Sequence, residues 1–483
     1  MLRHGFIVGV LVAAAGQAGC GARITDPAAS LRNPKETSLV HRNALRMLME
    51  QPGPPEAAGL DAVQGLAYRP GYDTRTRLEG LAWLERVDRD MLLTTLRRRL
   101  PRVSDHDWLR AVCGFVAQQQ LTELDVALVS SWGRPWSGNL PDAERPEYLA
   151  LRAMHGAGAP ERIVWETFLG ATKPSQNGLR YRCWDLLHRL GHRDRLIKLV
   201  SEASTHEDGG HPLLKPLQAA AVSFGTVPWN REEVLWIHKL AEPARSAFWE
   251  AAEQATATLS PDRRASLEIR DLPVVAAAAA HRPELLAASP GQLYTQIHRR
   301  IAGQRHYREQ DPGFVSTIEI DHHLAAHRDV MTWGDLLAIN MALHAVESPQ
   351  VRAHLFDYAD RDLADETTEY GGVIDLDAQG RFNVREFPPR IRVHDRRFEA
   401  PQQMFDAGYT GLFHFHNHVQ KHRNGMHAGP GDGDMSYANN TRANCLVLTF
   451  VDEQTLNLDF YRHDGVLVDL GVILRPSANR GSG

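Results

Sequence analysis

Two spacings of apolar residues follow each other along the chain. From about residue 37 to 348, apolar positions recur every three or four residues, and Pro, Gly and Ser separate the segments. This is the period of amphipathic helices. After about residue 350 the spacing changes to alternation, which is typical of strands joined by polar turns. The pattern therefore predicts a long helical region followed by a smaller mixed α/β domain.

The helical region, residues 37–348, contains two well-defined predicted pairs. In the first, an apolar stripe runs without a break from Trp83 to Leu96, and Ser104 can cap the helix that follows Pro101. In the second, Gly191 separates two amphipathic segments. Short helix pairs repeated along a chain indicate an α-solenoid of HEAT type, whose surface would bind a protein partner. No strict period is present, so an irregular helical bundle is the alternative.

One polar cluster interrupts the end of this region. Asp321, His322 and His323 are consecutive within the sequence EIDHHLAAH. Adjacent side chains diverge around a helix, so they would need further partners to form a site. We interpret them as ordinary helix surface.

The C-terminal domain is predicted over residues 350–475, with a tail at 476–483. Residues 371–387 indicate a hairpin, because a Gly turn separates two alternating segments. Three further strands are expected at 445–451, 456–463 and 465–474, and short helices at 401–408 and 434–443. These elements predict a mixed α/β domain that is distinct from the helical region.

The N-terminus has the features of an export signal. Arg3 precedes a twelve-residue apolar stretch, Gly5–Gly16, which is too short to span a bilayer. The stretch is followed by Ala18-Gly19-Cys20, which resembles the end of a bacterial lipobox. We therefore expect residues 1–20 to be a signal peptide, Cys20 to be lipidated and residues 21–36 to be a tether. The protein would be exported and anchored by lipid to a membrane of the bacterial cell envelope.

Charge and cysteine content argue against two further classes of protein. A formal net charge of −5 does not favour a nucleic-acid partner, which would select a basic surface. Apart from Cys20, the cysteines are Cys113, Cys183 and Cys445, widely spaced and odd in number. This pattern is incompatible with a full disulfide framework. We expect these three residues to be buried thiols.

Candidate chemistry begins with three alternating histidines. The sequence GLFHFHNH, residues 411–418, carries His414, His416 and His418 directly after an apolar segment. In a strand, alternate side chains project to one face. The three imidazoles are therefore expected to share a face at the end of a strand.

Two acidic residues lie where they can complete this group. Asp434 follows the turn that begins at Pro430, and Glu369 precedes the predicted strand at 371. Two neutral imidazoles and one carboxylate leave a fourth tetrahedral position for water, the pattern of a catalytic zinc site. A glutamate that is not a ligand would then move the proton.

These motifs resemble the JAB/MPN family, the JAMM metallopeptidases, over residues 355–475. The family signature is a glutamate before a Gly-Gly strand, then Gly-x-x-His-x-His-Pro, then Pro-Ser-x-x-Asp. The resemblance implies a small α/β fold, a zinc ion and hydrolysis of peptide or isopeptide bonds in a protein substrate. It assigns roles to four positions of this chain: the zinc ligands His414, His416 and Asp434, and the proton shuttle Glu369.

The match departs from the signature at three places. Asn417 replaces the proline, Gly431 replaces the serine that stabilises the oxyanion, and the loop before Pro430 is longer. Loss of one oxyanion donor lowers a rate by about two to three orders of magnitude. The predicted function is therefore an exported zinc-dependent hydrolase to which the helical region recruits substrate. The alternative is a catalytically impaired JAB-like domain that acts as a binding or scaffold module.

The register of the ligands has an alternative as well. Gly411 lies three residues before His414, as in the family, and this spacing favours the pair His414 and His416. In the alternative register, His416 and His418 are the two ligands. In the favoured register, His418 is an auxiliary residue. Asp432 is a second auxiliary candidate, but only Asp434 preserves the spacing from the proline. Amidohydrolase barrels and cupins fit the remaining sequence less well, and a merely polar strand end is the plain alternative.

Overall fold

The computed structural model describes residues 24–134, 140–202, 213–307, 321–392 and 398–477. The chain divides into two compact units, residues 1–164 and 165–483. Cys20 and the expected signal peptide lie outside the described residues, so lipidation stays a prediction. Within the expected tether, Pro27–Arg32 form a helix capped by Asp26, and Leu31 is fully buried. This part of the segment is therefore folded, unlike the expectation.

The first unit is helical throughout its described part. Its helices are α1 (Pro27–Arg32), α2 (Ser38–Glu50), α3 (Ala57–Leu66), α4 (Thr74–Val87), α5 (Arg89–Arg99), α6 (His106–Gln118), α7 (Asp125–Trp132) and α8 (Pro146–His155). Helix α9 (Ala159–Gly170) contains the boundary between the units.

Two details of the sequence prediction are wrong in this unit. The apolar stripe from Trp83 to Leu96 is not one helix, because Asp88 ends α4 and caps α5, where its carboxylate accepts the Met91 N–H. The cap of α6 is Asp105 rather than Ser104, since Asp105 accepts the N–H of Trp108. An aspartate that caps a new helix can interrupt an apolar stripe while the apolar residues on both sides keep their three- and four-residue spacing.

The second unit begins with helices and ends with a sheet. Its helices are α10 (Asn177–Arg189), α11 (Arg193–Glu202), α12 (Leu214–Phe224), α13 (Arg231–Leu240), α14 (Ser246–Ala257), α15 (Pro261–Ser266), α16 (Leu272–His281), α17 (Glu284–Ala287), α18 (Pro290–Ile301), α19 (Trp333–Ala345) and α20 (Pro349–Leu363). The break predicted at Gly191 is confirmed, because this residue has φ +80° between α10 and α11. Within the described ranges, no helix has the length and apolar character needed to cross a membrane.

Six strands form one mixed sheet at the C-terminal end of the chain. They are β1 (Gly371–Leu376), β2 (Phe382–Phe387), β3 (Phe413–His418), β4 (Cys445–Asp452), β5 (Thr455–Arg462) and β6 (Val466–Leu474), in the order β2-β1-β3-β4-β5-β6. Strands β3 and β4 are parallel and all other neighbours are antiparallel. Helices α21 (Gln402–Gly408) and α22 (Asp432–Thr441) flank β3 in sequence. The structure is therefore mostly helical, with a small α/β segment at the C-terminal end of the chain.

A buried charged network joins helices to strands inside the second unit. Asp335 in α19 accepts hydrogen bonds from Arg270 at 2.7 Å and from Arg462, at the end of β5, at 2.9 and 3.0 Å. Arg270 also donates to Asn444, whose carbonyl accepts the His414 N–H of β3. Residues on both sides of the boundary predicted near residue 350 contribute to this network. The boundary itself stays a prediction.

Two other expectations have an outcome in the structure. Cys113, Cys183 and Cys445 are buried free thiols, as predicted. The interpretation of His322 as helix surface is wrong. His322 lies outside the α-helices, and its Nδ1 is 3.6 Å from Asp459 Oδ1 in the buried part of β5.

Candidate metal centre

The site is built around the end of β3. His414, His416 and His418 alternate along this strand, and the first two are buried while His418 is half-buried. Residue His416 pairs with Gly371 of β1 in an antiparallel register, and the Asn417 N–H donates to the Tyr370 carbonyl. Glu369, two residues before Gly371, therefore comes level with His418.

Two of the imidazoles converge on one carboxylate. The Nε2 atoms of His416 and His418 lie 3.2 Å apart. Asp434 Oδ1 is 3.2 Å from His416 Nε2, and Asp434 Oδ2 is 3.5 Å from His418 Nε2. Ligand atoms about 2.0–2.2 Å from a tetrahedral zinc ion lie about 3.3–3.6 Å from one another. The two imidazole nitrogens have close to this spacing, and one Asp434 oxygen lies at a similar distance from each of them.

Glu369 completes the cluster from the segment just before β1. One of its carboxylate oxygens and one ring nitrogen of each of His416 and His418 all lie within 4.8 Å of one another. Among the described residues, the three side chains grouped by this criterion are Glu369, His416 and His418, and Asp434 is not a member of the group. The arrangement can either bind a cation directly or hold the carboxylate one water molecule away from it.

The tautomer of His418 suits a metal ligand. Its Nδ1 donates to the His427 carbonyl at 3.0 Å. An imidazole that donates from Nδ1 presents the lone pair of Nε2 to the cluster when it is neutral. Tyr461 provides a weaker contact behind the other imidazole, with its hydroxyl oxygen 3.5 Å from His416 Nδ1.

The charges in the cluster are strongly coupled. Burial alone would lower the pKa of His418, but Asp434 and Glu369 raise this pKa to about 10. Burial would raise the pKa of Asp434, but His416 and His418 hold it well below its usual value. Without a cation, His418 and Asp434 therefore form a partly exposed ion pair. A metal ion that binds here would displace the proton of His418.

Asp434 is fixed by the start of a helix. Gly431 is the N-cap of α22, and its N–H donates to Asp434 Oδ2 at 2.9 Å. The Asp434 side chain retains 24% exposure, so the cluster opens to solvent on this side. Asp432 is exposed and lies in the same first turn.

His414 has different neighbours from the other two histidines. Its Nδ1 lies 2.7 Å from the Tyr437 hydroxyl, and its ring packs against Gly408, where an added Cβ would lie 2.0 Å from Nε2. Burial lowers the pKa of His414 to about 4, so this imidazole is neutral at pH 7. The structure thus brings His416, His418 and Asp434 together with Glu369, whereas the contacts of His414 are with Tyr437 and Gly408.

The sequence did not connect two loop residues of the site with Glu369. Gln420 donates to Glu369 Oε1, and Asn424 donates to Gln420. Both lie in the long loop after β3, where the resemblance to the JAB/MPN signature fails. A glutamine and an asparagine in a polar loop carry no periodicity or motif that would mark them.

Gly431 stands where the JAB/MPN signature has a serine, and this position is open to a side chain. Gly431 has φ −85°, and an added Cβ would meet only Asp434 Oδ2, at 3.8 Å. A serine would therefore fit without strain. Asn417, at the family's proline position, is buried on the opposite face of β3 from the cluster.

Comparison with known proteins gave no match to a family model, a curated protein or a solved structure.

Proposed function

We propose that this protein is a zinc-dependent hydrolase with a JAB/MPN-like centre formed by His416, His418 and Asp434. The convergence of two imidazole nitrogens, 3.2 Å apart, on the carboxylate of Asp434 carries the proposal. The order of the elements supports the family resemblance. A glutamate precedes β1, histidines lie on β3 and an aspartate lies at the start of α22. The proposed pair is thus the second of the two registers that the sequence left open.

Glu369 is the proposed general base. When bound, zinc would act as a Lewis acid and lower the pKa of a coordinated water to about 7. Glu369 accepts the proton of the attacking water and returns it to the leaving amine. Its position within 4.8 Å of the His416 and His418 nitrogens suits this transfer. The His427 carbonyl keeps His418 in the tautomer that the reaction requires.

Peptide or isopeptide bonds are the proposed substrates, as the family resemblance implies. The helical region, proposed to be HEAT-like, would recruit the protein that carries them. A second candidate function is a metal-stabilised binding module. Gly431 favours it, because glycine offers no hydroxyl where the family has its oxyanion donor.

Removal of the metal tests the proposed function. The full chain is assayed against a panel of peptide and isopeptide-linked substrates before and after treatment with a chelator. We expect chelation to abolish cleavage and one equivalent of Zn²⁺ to restore it, with far-UV circular dichroism verifying that the metal-free protein is still folded. Cleavage that survives complete metal removal would contradict the proposal. Absence of cleavage by zinc-loaded protein across the panel would favour the binding module.

A further inference from the structure

The loop between β3 and α22 is tied to the sheet by one asparagine. Asn424 is 1% exposed, and its backbone N–H donates to the Phe450 carbonyl of β4 at 2.8 Å. Its side-chain Nδ2 donates to the His418 carbonyl at 3.1 Å. A carbonyl can only accept, so this bond fixes which end of the Asn424 amide faces β3.

The same amide orients Gln420. Asn424 Nδ2 also lies 2.6 Å from Gln420 Oε1, and only the oxygen of the Gln420 amide can accept this bond. The Gln420 Nε2 group is therefore turned the other way, towards Glu369 Oε1 at 3.1 Å. A chain of two amides with one allowed orientation connects the backbone of β3 to the carboxylate.

We propose that Gln420 and Asn424 are positioning residues for Glu369, an inference that rests on the proposed hydrolase function. Gln420 holds the carboxylate through Oε1, and the same carboxylate has an oxygen within 4.8 Å of ring nitrogens of His416 and His418. A glutamate side chain has several rotamers. Fixing one of them in advance lowers the conformational entropy that Glu369 must lose when the reaction takes place. An amide donor suits this role because it binds an ionised carboxylate without itself titrating.

The two amides belong to this chain and not to the motif that it resembles. Both lie in the sequence VQKHRNGMHAG, which follows the alternating histidines and lengthens the loop before Pro430. Burial of Asn424 and its bonds to β3 and β4 make this loop a part of the site. We therefore infer that the longer loop supplies the support for the general base.

A crystal structure of zinc-loaded Gln420→Ala tests the inference and needs no activity assay. We expect wild type to have Glu369 in one conformation, bonded to Gln420, and the variant to have it turned away or in several conformations. Lys421→Ala is the matched control, because Lys421 is exposed in the same loop and its Nζ lies 3.9 Å from Met426 Sδ. An unchanged Glu369 conformation in Gln420→Ala would overturn the inference, whether or not the protein proves to be a hydrolase.

Kinetics provide a second test if cleavage is found. Gln420→Ala should lower kcat by about 10- to 100-fold with the zinc content and KM little changed, the usual effect of losing such a supporting bond. In a Glu369→Gln background the same change should have no further effect, because Gln420 acts through Glu369. Equal losses in both backgrounds would contradict the positioning role and indicate a general structural effect.

Discussion

Replacement of Glu369 by glutamine is expected to lower turnover by about two to four orders of magnitude while zinc and fold are retained. The substitution preserves the size of the side chain but removes the proposed proton acceptor. Glu369 is not one of the three proposed ligands, so metal content should be unchanged. The measurement compares kcat for wild type and Glu369→Gln on the same substrate, at equal zinc content determined by elemental analysis.

The neighbouring acidic residue supplies the control. Glu366 is exposed and lies three residues before Glu369, so Glu366→Gln should retain wild-type turnover. Equal activity of wild type and Glu369→Gln would refute the role of Glu369 as base. Loss of zinc from Glu369→Gln would instead make this residue a ligand, which its distance to the two imidazoles also permits.

Replacement of Asp335 by alanine is expected to destabilise the second unit by about 3–5 kcal/mol, because the buried Arg462 loses its ion-pair partner while Arg270 keeps its pair with Glu268. Arg270 and Asp335 are at most 1% exposed, and Arg462 is 5% exposed. Burial would raise the pKa of Asp335, but Arg270 and Arg462 outweigh it and hold this pKa below its usual value. The free energy of unfolding is measured by urea denaturation at pH 7.

An exposed ion pair gives the matched control for this prediction. Asp357 in α20 pairs with Arg361 one turn later, and its side chain is 67% exposed. Asp357→Ala should cost less than about 1 kcal/mol, as surface pairs do. A loss of under about 1 kcal/mol in Asp335→Ala would show that water or another group compensates the arginines. In that case the network would not be what joins the helices to the sheet.

Much of the fold was predictable because its signals are local. The Gly turn within 371–387 and the alternating segments after residue 445 predicted β1, β2 and the last three strands, with ends close to those observed. The single helix expected from Trp83 to Leu96 was wrong because apolar spacing does not register a cap such as Asp88. Periodicity identifies the buried face of a helix but not where it is interrupted.

The histidine register could not be settled from the sequence. Alternation predicts that His414, His416 and His418 share a face, but it does not indicate which two meet Asp434. That choice depends on where the start of α22 lies along β3. The parallel pairing of β3 with β4 and the loop between β3 and α22 determine this position. The partner of Gln420 was equally hidden, because Glu369 lies 51 residues earlier in the chain.

The most direct test of the metal centre is the zinc content of wild type and three single variants. After exposure to Zn²⁺ and removal of free metal, elemental analysis should give one equivalent for wild type. His416→Ala and His418→Ala should lose most of this metal, because each removes one of three ligands. His414→Ala should retain it, since the contacts of His414 are with Tyr437 and Gly408. Retention of zinc by His418→Ala together with its loss from His414→Ala would contradict the proposed centre and restore the other register.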